Sequence, residues 1–512
     1  MMRLLLISLL LSSCSHGGFH LPSYGVNSCD CGDSAPQSSE SSETETNAGD
    51  SSATIANSGS SYGNVFDYMT PAQISAIVAG NGHADAICSD AIQAAADNSP
   101  GQIWFPSGKY LFDKPVLLRP GITHGIQFIG ESRTDTIFQP AFNNIAASPQ
   151  NVNALFINQA NEGAISWRNL RFFDNSGYTG HAIYCVENGC ADGSGQVAFT
   201  GQIQNCYFSF ASTNAGYIYG GLNNYQISGN VIETCQGFYI AIGIGVADIL
   251  MSDNVMFNCY GPLVDASRDS LPKNLVRISG VHFYGCFRDY LIKATNARNW
   301  TLSDITVGQD NAAPMSPAPS LFQFSDSVNV QANNFSIFND GGPVGVGIDL
   351  SGVSGSFSNG RIQGADVGIR ISGNATNDLS FSNVSVRDSW TAAFHVPSGS
   401  PAGRVRMSNC DLSDSQGAIM LHTSECALDI RATGSRFYNA GLSGAGNRIL
   451  SLATSGDVLL SGCDIGRDSS LSLAAYFIIA VGTGDVVLSD CRFSRMLAPI
   501  GNTTGTQSVV IQ

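Results

Sequence analysis

The feature that most constrains the fold is a short phrase that recurs about every 26 residues along the chain. Each copy has an apolar residue, then Ser or another polar residue, then Gly, Asp or Asn, with a second short strand pattern after it. The twelve copies start at Ile203, Ile227, Met251, Ile278, Leu302, Ala332, Phe357, Phe381, Met407, Ala432, Leu460 and Leu488. Helical repeats would show a 3.6-residue periodicity, which these copies lack. The repeat therefore predicts a parallel β-solenoid with one coil for each copy.

Composition agrees with stacked β-structure. Charged residues make up 12% of the 512 residues, about half of the roughly 25% that is usual in globular domains. Amphipathic helices need a charged face, whereas tight turns between strands need Gly, Ser and Asn. The net charge of −16 and the few Lys and Arg residues argue against nucleic acid as a partner.

The amino terminus predicts an exported lipoprotein. Residues 1–13 form a signal peptide with one positive charge, a short apolar run and a small-residue end, and the run is too short to span a bilayer. Leu11-Ser12-Ser13-Cys14 resembles the bacterial lipobox, which implies lipidation at Cys14 and a membrane anchor. Because Ser15 is not acidic, the resemblance favours the outer membrane or cell surface. Residues 14–63 are rich in Ser and Glu and predict a flexible tether.

The cysteines follow the repeat. Of the 14 cysteines, 13 remain beyond Cys14, so they cannot all pair within one chain. Two sets occupy shared repeat positions: Cys235, Cys259 and Cys286 form one set, and Cys463 and Cys491 form the other. We expect stacked inward thiols, with disulfides between coils as the alternative. Cys185 and Cys190 would form a local disulfide.

The segment before the coils resembles a known family. It contains Asp67-Tyr68-Met69-Thr70-Pro71-Ala72-Gln73-Ile74, Asp90-Ala91-Ile92-Gln93-Ala94-Ala95 and Ile103-Trp104-Phe105-Pro106-Ser107-Gly108-Lys109-Tyr110. These phrases are similar to the amino-terminal part of pectate-lyase-like single-stranded right-handed β-helix proteins of the phage tailspike depolymerase and exopolysaccharide-processing type. The resemblance implies an all-β, right-handed parallel β-helix of about 12 or more coils with a short amino-terminal capping helix at about 89–97.

The domain prediction follows from this resemblance. Residues 64–125 would form the amino-terminal cap and first turns, 126–495 the β-helix and 496–512 a carboxy-terminal cap. A tailspike-type trimerisation domain is not recognisable, and the oligomeric state stays open. Polygalacturonase signatures do not occur either, so the resemblance supplies a fold and a polysaccharide substrate class but no catalytic residues.

Candidate site residues come from the register of the second strands. Because side chains alternate sides along a strand, each apolar-x-apolar triplet presents one outward residue. In six consecutive coils these residues are Asp265, Lys293, Gln323, Asp349, Arg370 and His395. Neighbours would lie about 4.8 Å apart, a spacing similar to a sugar ring. Further substrate-binding candidates are Tyr184, Tyr219, Tyr239 and Asp269, with the tyrosines stacking on sugar faces. The alternative is a solvated sheet face with two ion pairs, Asp265–Lys293 and Asp349–Arg370, worth at most about 1 kcal/mol each.

The chemistry stays open between two reactions. Glycoside hydrolysis needs two carboxyl groups at most about 9.5 Å apart, whereas three coils, roughly 14 Å, separate Asp265 and Asp349. A carboxylate partner would come from Asp269, Asp289, Asp310, Asp340 or Glu233. β-Elimination needs a base and a cation, roles open to Lys293, Arg370 and His395. No motif predicts a cofactor, and no carboxylate cluster for Ca²⁺ is recognisable.

Two hypotheses of function follow. The first is an exported, lipid-anchored enzyme, either a glycoside hydrolase or a polysaccharide lyase, that acts on an extracellular or capsular polysaccharide. Its catalytic residues would be drawn from Asp265, Lys293, Asp349, Arg370 and His395. The second is a non-catalytic surface protein that binds glycans or acts as an adhesin, because a β-helix does not by itself fix a function.

Overall fold

The computed structural model describes most of the chain beyond the predicted tether. It covers residues 63–512 except 81, 83, 99–100, 120–124, 149–150, 160–163, 175–176, 186–199, 210–217, 221–222, 234–238, 243–246, 258, 260–262, 268–271, 285–289, 310–319, 340–343, 398–400, 424–425, 442–447, 469–475, 496–499 and 506–508. These residues belong to one compact unit that begins at Ser60. Among them, no helix is long and apolar enough to cross a bilayer.

The unit is a right-handed parallel β-helix, as the resemblance implies. Every described strand pairs in parallel with a strand of a neighbouring coil, in a 29-stranded and a 15-stranded sheet. The larger sheet consists of two ladders, A and B, joined because three long strands run through both. The smaller sheet, ladder C, has one strand for each of 15 coils, which confirms the prediction of about 12 or more.

Ladder A contains the strands that lead into the corner formed by the recurring phrase. Its strands are Gly63–Asn64, Gln102–Phe105, Ile126–Gly130, Ile165–Arg168, Gly201–Gln204, Asn223–Ser228, Ala247–Ser252, Lys273–Ser279, Thr376–Ser382, Ala402–Ser408, Ala427–Thr433, Val458–Ser461, Val486–Ser489 and Val509–Ile511. The strands shared by ladders A and B are Ala297–Gln309, Val328–Asn339 and Ser354–Gln363.

Ladder B follows that corner, and ladder C completes the coil. Ladder B adds Gly108–Phe112, Thr136–Pro140, Arg171–Phe173, Tyr207–Ser209, Val231–Glu233, Val255–Phe257, His282–Tyr284, Ser385–Arg387, Asp411–Ser413, Arg436–Tyr438, Asp464–Gly466 and Arg492–Ser494. Ladder C consists of Val116–Leu118, Ala154–Asn158, His181–Cys185, Ile218–Gly220, Ile240–Ile242, Val264–Ala266, Tyr290–Thr295, Ser320–Ser325, Val344–Ser351, Ala365–Ile371, Ala392–Val396, Ala418–His422, Arg448–Leu452, Tyr476–Gly482 and Ile500–Gly505.

The recurring phrase is the corner between ladders A and B. In all twelve copies its third residue has a left-handed backbone, with φ between 51° and 65°. Only Gly, Asn and Asp adopt this conformation routinely, which explains their place in the phrase. Asparagines at successive corners also bond to each other, as Asn383 Nδ2 donates to Asn359 Oδ1 at 3.1 Å. Asn169, with φ 55°, marks one earlier corner that the sequence analysis missed.

Two helices close the amino-terminal end, where the sequence predicted one. Helix α1 spans Pro71–Ala79 and begins with a capping box between Thr70 and Gln73. Helix α2 spans Ser89–Asn98, which confirms the predicted cap. Gln93 on α2 donates to Leu117 O at 2.9 Å and accepts from Leu117 N at 2.7 Å. The helix therefore satisfies backbone groups at the exposed edge of the first ladder C strand.

The interior is one apolar column, and the described cysteines line it. Cys206, Cys259, Cys410 and Cys463 are buried, which agrees with inward thiols, and Cys463 and Cys491 share a corner position. Cys235, Cys286 and Cys190 lie outside the described residues, so the Cys185–Cys190 disulfide stays a prediction.

The structure describes only some of the predicted domains. The signal peptide, Cys14 and nearly all of the tether lie outside the described residues. At the other end, Ile500–Gly505 and Val509–Ile511 pair with the preceding strands of ladders C and A. The segment predicted as a carboxy-terminal cap, 496–512, therefore contributes one paired strand to ladder C and one to ladder A.

Candidate functional site

The six predicted residues form one continuous column on ladder C. Strand pairing aligns each with the next, from Asp265 through His395. The apolar neighbours of Asp349 on its strand, Ile348 and Leu350, pack in the core, so the column faces outward. We call these six residues, Asp265, Lys293, Gln323, Asp349, Arg370 and His395, the stripe. The predicted order and face are confirmed, whereas a catalytic role for any member stays a prediction.

The centre of the stripe is an ion pair between neighbouring coils. Arg370 Nε donates to Asp349 Oδ1 at 3.0 Å, and Arg370 Nη2 donates to Oδ2 at 2.5 Å. Ser372 Oγ and Gln323 Nε2 also donate to this carboxylate, at 3.0 and 3.3 Å. Asp349 is only 4% exposed, and the hydrogen bond to it raises the pKa of Arg370. The predicted ion pair exists, but two guanidinium nitrogens bind the carboxylate, and the carboxylate is covered where a solvated face was the expectation.

His395 differs from the rest of the stripe because its ring lacks partners. Both ring nitrogens are shielded from solvent, and neither has a hydrogen-bond partner among the described residues. Burial, together with the positive charge of Arg370, lowers the pKa of His395 below its usual 6.5. The imidazole is therefore neutral at pH 7, the state in which one ring nitrogen can accept a proton.

The amino-terminal half of the stripe is held by local contacts. Asp265 Oδ1 accepts from Ser267 N at 3.1 Å and from Ser267 Oγ at 2.8 Å. It is 8% exposed. Lys293 Nζ lies 4.7 Å from the centre of the Tyr290 ring, a cation–π contact. Thr295 and Ser325, which lie two residues after Lys293 and Gln323, share a hydrogen bond of 3.0 Å.

A second carboxylate near the stripe was missed by the sequence analysis. Asp366 is the second residue of the Arg370 strand and accepts from Thr391 Oγ1 at 2.6 Å. Its charge raises the pKa values of both Arg370 and His395, although it is not the largest cause for either. Asp349 and Asp366 thus both act on Arg370. The signal available in the sequence was a polar residue four positions before Arg370 on the same strand.

One exposed aromatic side chain stands at the edge of this cluster. Trp390 directly precedes Thr391, its backbone N–H donates to Ala365 O at 3.0 Å, and it is 53% exposed. A large exposed ring beside polar groups suits the apolar face of a sugar. The sequence analysis missed it because Trp390 lies just outside the strand.

The predicted aromatic end of the site needs correction. Tyr184 lies on ladder C in register with Tyr219, and its ring lies 5.7 Å from that of His181. The prediction for Tyr239 is wrong: its ring is fully buried and packs edge-on against Phe208 at 5.4 Å. Tyr239 precedes its strand, where side-chain alternation does not hold. The side chain of Tyr219 lies outside the described part.

The predicted carboxylate partners do not join the stripe in the described structure. Asp269, Asp289, Asp310 and Asp340 lie outside the described residues. Glu233 belongs to ladder B, where the Tyr207 hydroxyl donates to it, so it lies on another face of the coil. Within the described ranges, no group of three or more His, Cys, Asp or Glu residues is arranged to hold a metal ion.

A shallow depression lies one corner beyond the stripe, on the same coils. Its volume is about 370 Å³, and it is lined by Thr376, Asn377, Asp378, Gly403, Arg404, Ala427 and Asp429. Asp378, Arg404 and Asp429 occupy successive rungs of ladder A, and Arg406 Nη1 lies 3.0 Å from Asp378 Oδ1. Polar, alternately charged side chains therefore continue around the coil from Arg370 and His395.

The class that fold and site define is a single-chain right-handed parallel β-helix with a polar stripe on one sheet. No family model matches the chain, and no curated protein matches it.

Solved structures with a similar path are β-helix proteins of low identity. The catalytic unit of a GH87 α-1,3-glucanase from Streptomyces thermodiastaticus has 11% identity and a TM-score of 0.35, covering 90% of this chain and 69% of that one. Bacteriophage CBA120 tailspike protein 3 has 10% identity and a TM-score of 0.31, covering 88% and 61%. The A-module of the Azotobacter vinelandii mannuronan C-5 epimerase AlgE4 has 12% identity and a TM-score of 0.26, covering 88% and 99%. The fold assignment rests on the strand pairing given above.

Proposed function

We propose that this protein binds a polysaccharide along the stripe and cleaves it beside Arg370 and His395. The observation that carries the proposal is the unbroken column of six polar side chains in register, in a chain with only 12% charged residues. Neighbours in the column are about 4.8 Å apart, so successive sugar units would meet successive rungs. Trp390 would stack on a sugar near the carboxy-terminal end.

His395 is the proposed proton-transfer group. A shielded ring nitrogen without a partner costs about 1–3 kcal/mol, and a bound sugar hydroxyl or water would remove that cost once the ring turns toward it. The lowered pKa keeps the ring neutral and able to act as a general base. It would take a proton from water in hydrolysis, or from the sugar ring in β-elimination.

Asp349 is proposed to position Arg370. All four of its hydrogen bonds are accepted from protein groups, which fixes the guanidinium beside His395. Arg370 would then orient the glycan and stabilise negative charge as the bond breaks. Asp366 is proposed as the carboxylate that polarises this end of the stripe.

A non-catalytic glycan-binding surface is the second candidate. The observation that supports it is that Asp265 and Asp349, the two carboxylates of the stripe, are both covered and hydrogen-bonded. The two functions are separated by His395→Gln. On the enzyme account, this variant still binds polysaccharide in a sedimentation assay but no longer shortens it. If His395→Gln shortens the polysaccharide as well as the parent protein does, the role of His395 is refuted.

Export and anchoring through Cys14 are also proposed, on the sequence alone. Cells that express the intact chain and its Cys14→Ser variant would be labelled with radioactive palmitate and separated into membrane and soluble fractions. The anchor predicts labelled, membrane-bound protein that the variant lacks. Equal labelling of both chains would contradict it.

A further inference from the structure

Two cysteines meet at the last complete corner of the solenoid. Cys463 and Cys491 each follow the left-handed corner residue, Gly462 with φ 60° and Asp490 with φ 54°. Pairing on both sides fixes them opposite each other: Ser461 aligns with Ser489 before the corner, and Asp464 aligns with Arg492 after it. The two corners therefore superpose with a displacement of one coil.

The separation of neighbouring coils suits a disulfide. Parallel rungs lie about 4.8 Å apart, within the usual Cα separation of roughly 4.4–6.8 Å for bonded cysteines. The two thiols influence each other, because the charge of Cys491 raises the pKa of Cys463, after burial as the main cause. Their sulfurs lie above carbonyls of the preceding coil, with Cys463 Sγ 3.6 Å from Ala432 O and Cys491 Sγ 3.4 Å from Leu460 O.

We propose that Cys463 and Cys491 are a redox pair that closes a disulfide between the last coils when the protein meets a peroxide. Cys491 is partly exposed, whereas Cys463 is 1% exposed, so hydrogen peroxide reaches Cys491 first. The Cys491 thiolate is oxidised to a sulfenic acid, and the peroxide is reduced to hydroxide. The Cys463 sulfur then attacks Cys491, forming the S–S bond and releasing water. In total, two thiols and one peroxide give one disulfide and two waters.

The bond would hold the carboxy-terminal end of the solenoid together. The final strand, Val509–Ile511, has its described pairing on the inner side only, with the strand Val486–Ser489 that leads into Cys491. A solenoid end has few neighbours and opens most readily. A bond across the last corners would restrict that opening, since each partner directly precedes a paired strand, Asp464–Gly466 or Arg492–Ser494.

The chain contains matched controls. Cys410 occupies the same corner position, but Ser435 is its neighbour on the next coil, and Cys410 N donates to Ser435 Oγ at 3.1 Å. Cys206 likewise faces Asn230, with Cys206 N donating to Asn230 Oδ1 at 2.8 Å. Cys410 and Cys206 therefore occupy the same corner position as Cys463 but have no cysteine opposite them on the next coil.

The test treats the purified full chain with hydrogen peroxide, unfolds it, alkylates free thiols and maps the peptides by mass. We expect a Cys463–Cys491 peptide, free Cys410 and Cys206, and a melting temperature a few degrees higher that reductant reverses. Cys463→Ser should instead leave a sulfenic acid on Cys491, trapped by dimedone. Alkylation of both residues after treatment would overturn the proposal, as would equal oxidation of Cys410.

Discussion

Arg370 contacts Asp349 across a single rung of ladder C, with two guanidinium nitrogens on two carboxylate oxygens, and this contact organises the centre of the stripe. The Arg370 side chain is 32% exposed and that of Asp349 is 5% exposed. One end of the pair is therefore open to a ligand while the other is anchored in the protein.

Removing Arg370, the exposed member of the ion pair, should destabilise the fold. Arg370→Ala leaves a covered carboxylate with two of its four donors, at an expected cost of about 1–3 kcal/mol in the free energy of unfolding. The matched control is Arg387→Ala, which breaks the more exposed ion pair with Asp411 and should cost at most about 1 kcal/mol. Denaturant unfolding of the three proteins measures both. Equal losses would show that Asp349 does not depend on Arg370.

The corner residues give a prediction about the fold itself. Asn383 has φ 53°, a conformation that costs most other residues about 1–2 kcal/mol. Asn383→Val should lower the melting temperature clearly more than Asn383→Gly, because glycine keeps the backbone and loses only the bond to Asn359. A smaller loss for valine would contradict the role given to the phrase.

His395 should make stability depend on pH. Its pKa is lower in the folded protein than the usual 6.5, so the unfolded chain binds the proton more tightly and stability falls as the pH drops below about 6.5. His395→Gln should remove this part of the loss, as measured by melting temperatures at pH 5 and 7.5. His282→Gln, on the exposed face of ladder B, is the control. The account fails here if His395→Gln loses as much stability in acid as the parent.

Trp390 should contribute to binding without contributing to stability. Trp390→Ala removes a ring that is 53% exposed, and stacking worth about 0.5–1.5 kcal/mol corresponds to polysaccharide affinity about 2–13-fold weaker. Phe142→Ala removes a similarly exposed ring, 55%, before the coils that carry the stripe and should leave affinity unchanged. Affinity electrophoresis compares the variants. If Trp390→Ala and Phe142→Ala lose equal affinity, exposed aromatic rings of this protein bind glycans without selectivity.

The stripe could be predicted from the sequence because it depends only on side-chain alternation within each strand and on the order of the repeats. Apolar-x-apolar triplets fix which side chains point outward, and the repeat fixes which coils are neighbours, so the order from Asp265 to His395 follows. The fork between Arg370 and Asp349 depends on burial, which no triplet encodes. Tyr239 and Trp390 lie just outside strands, where alternation gives no direction. Asp366 was missed because it lies on the Arg370 strand but outside the triplet that Arg370 centres.

The most direct test of the proposed function follows cleavage in real time. Neutral and uronic-acid-containing polysaccharides, including the exopolysaccharide of the source organism, are incubated with the full chain. Chain length, reducing ends and absorbance at about 235 nm for unsaturated ends are recorded. We expect one polymer to be shortened by the parent and by His282→Gln but not by His395→Gln, with absorbance marking elimination and its absence hydrolysis. Binding of a polymer that the parent never shortens would contradict the proposal and leave a glycan-binding protein.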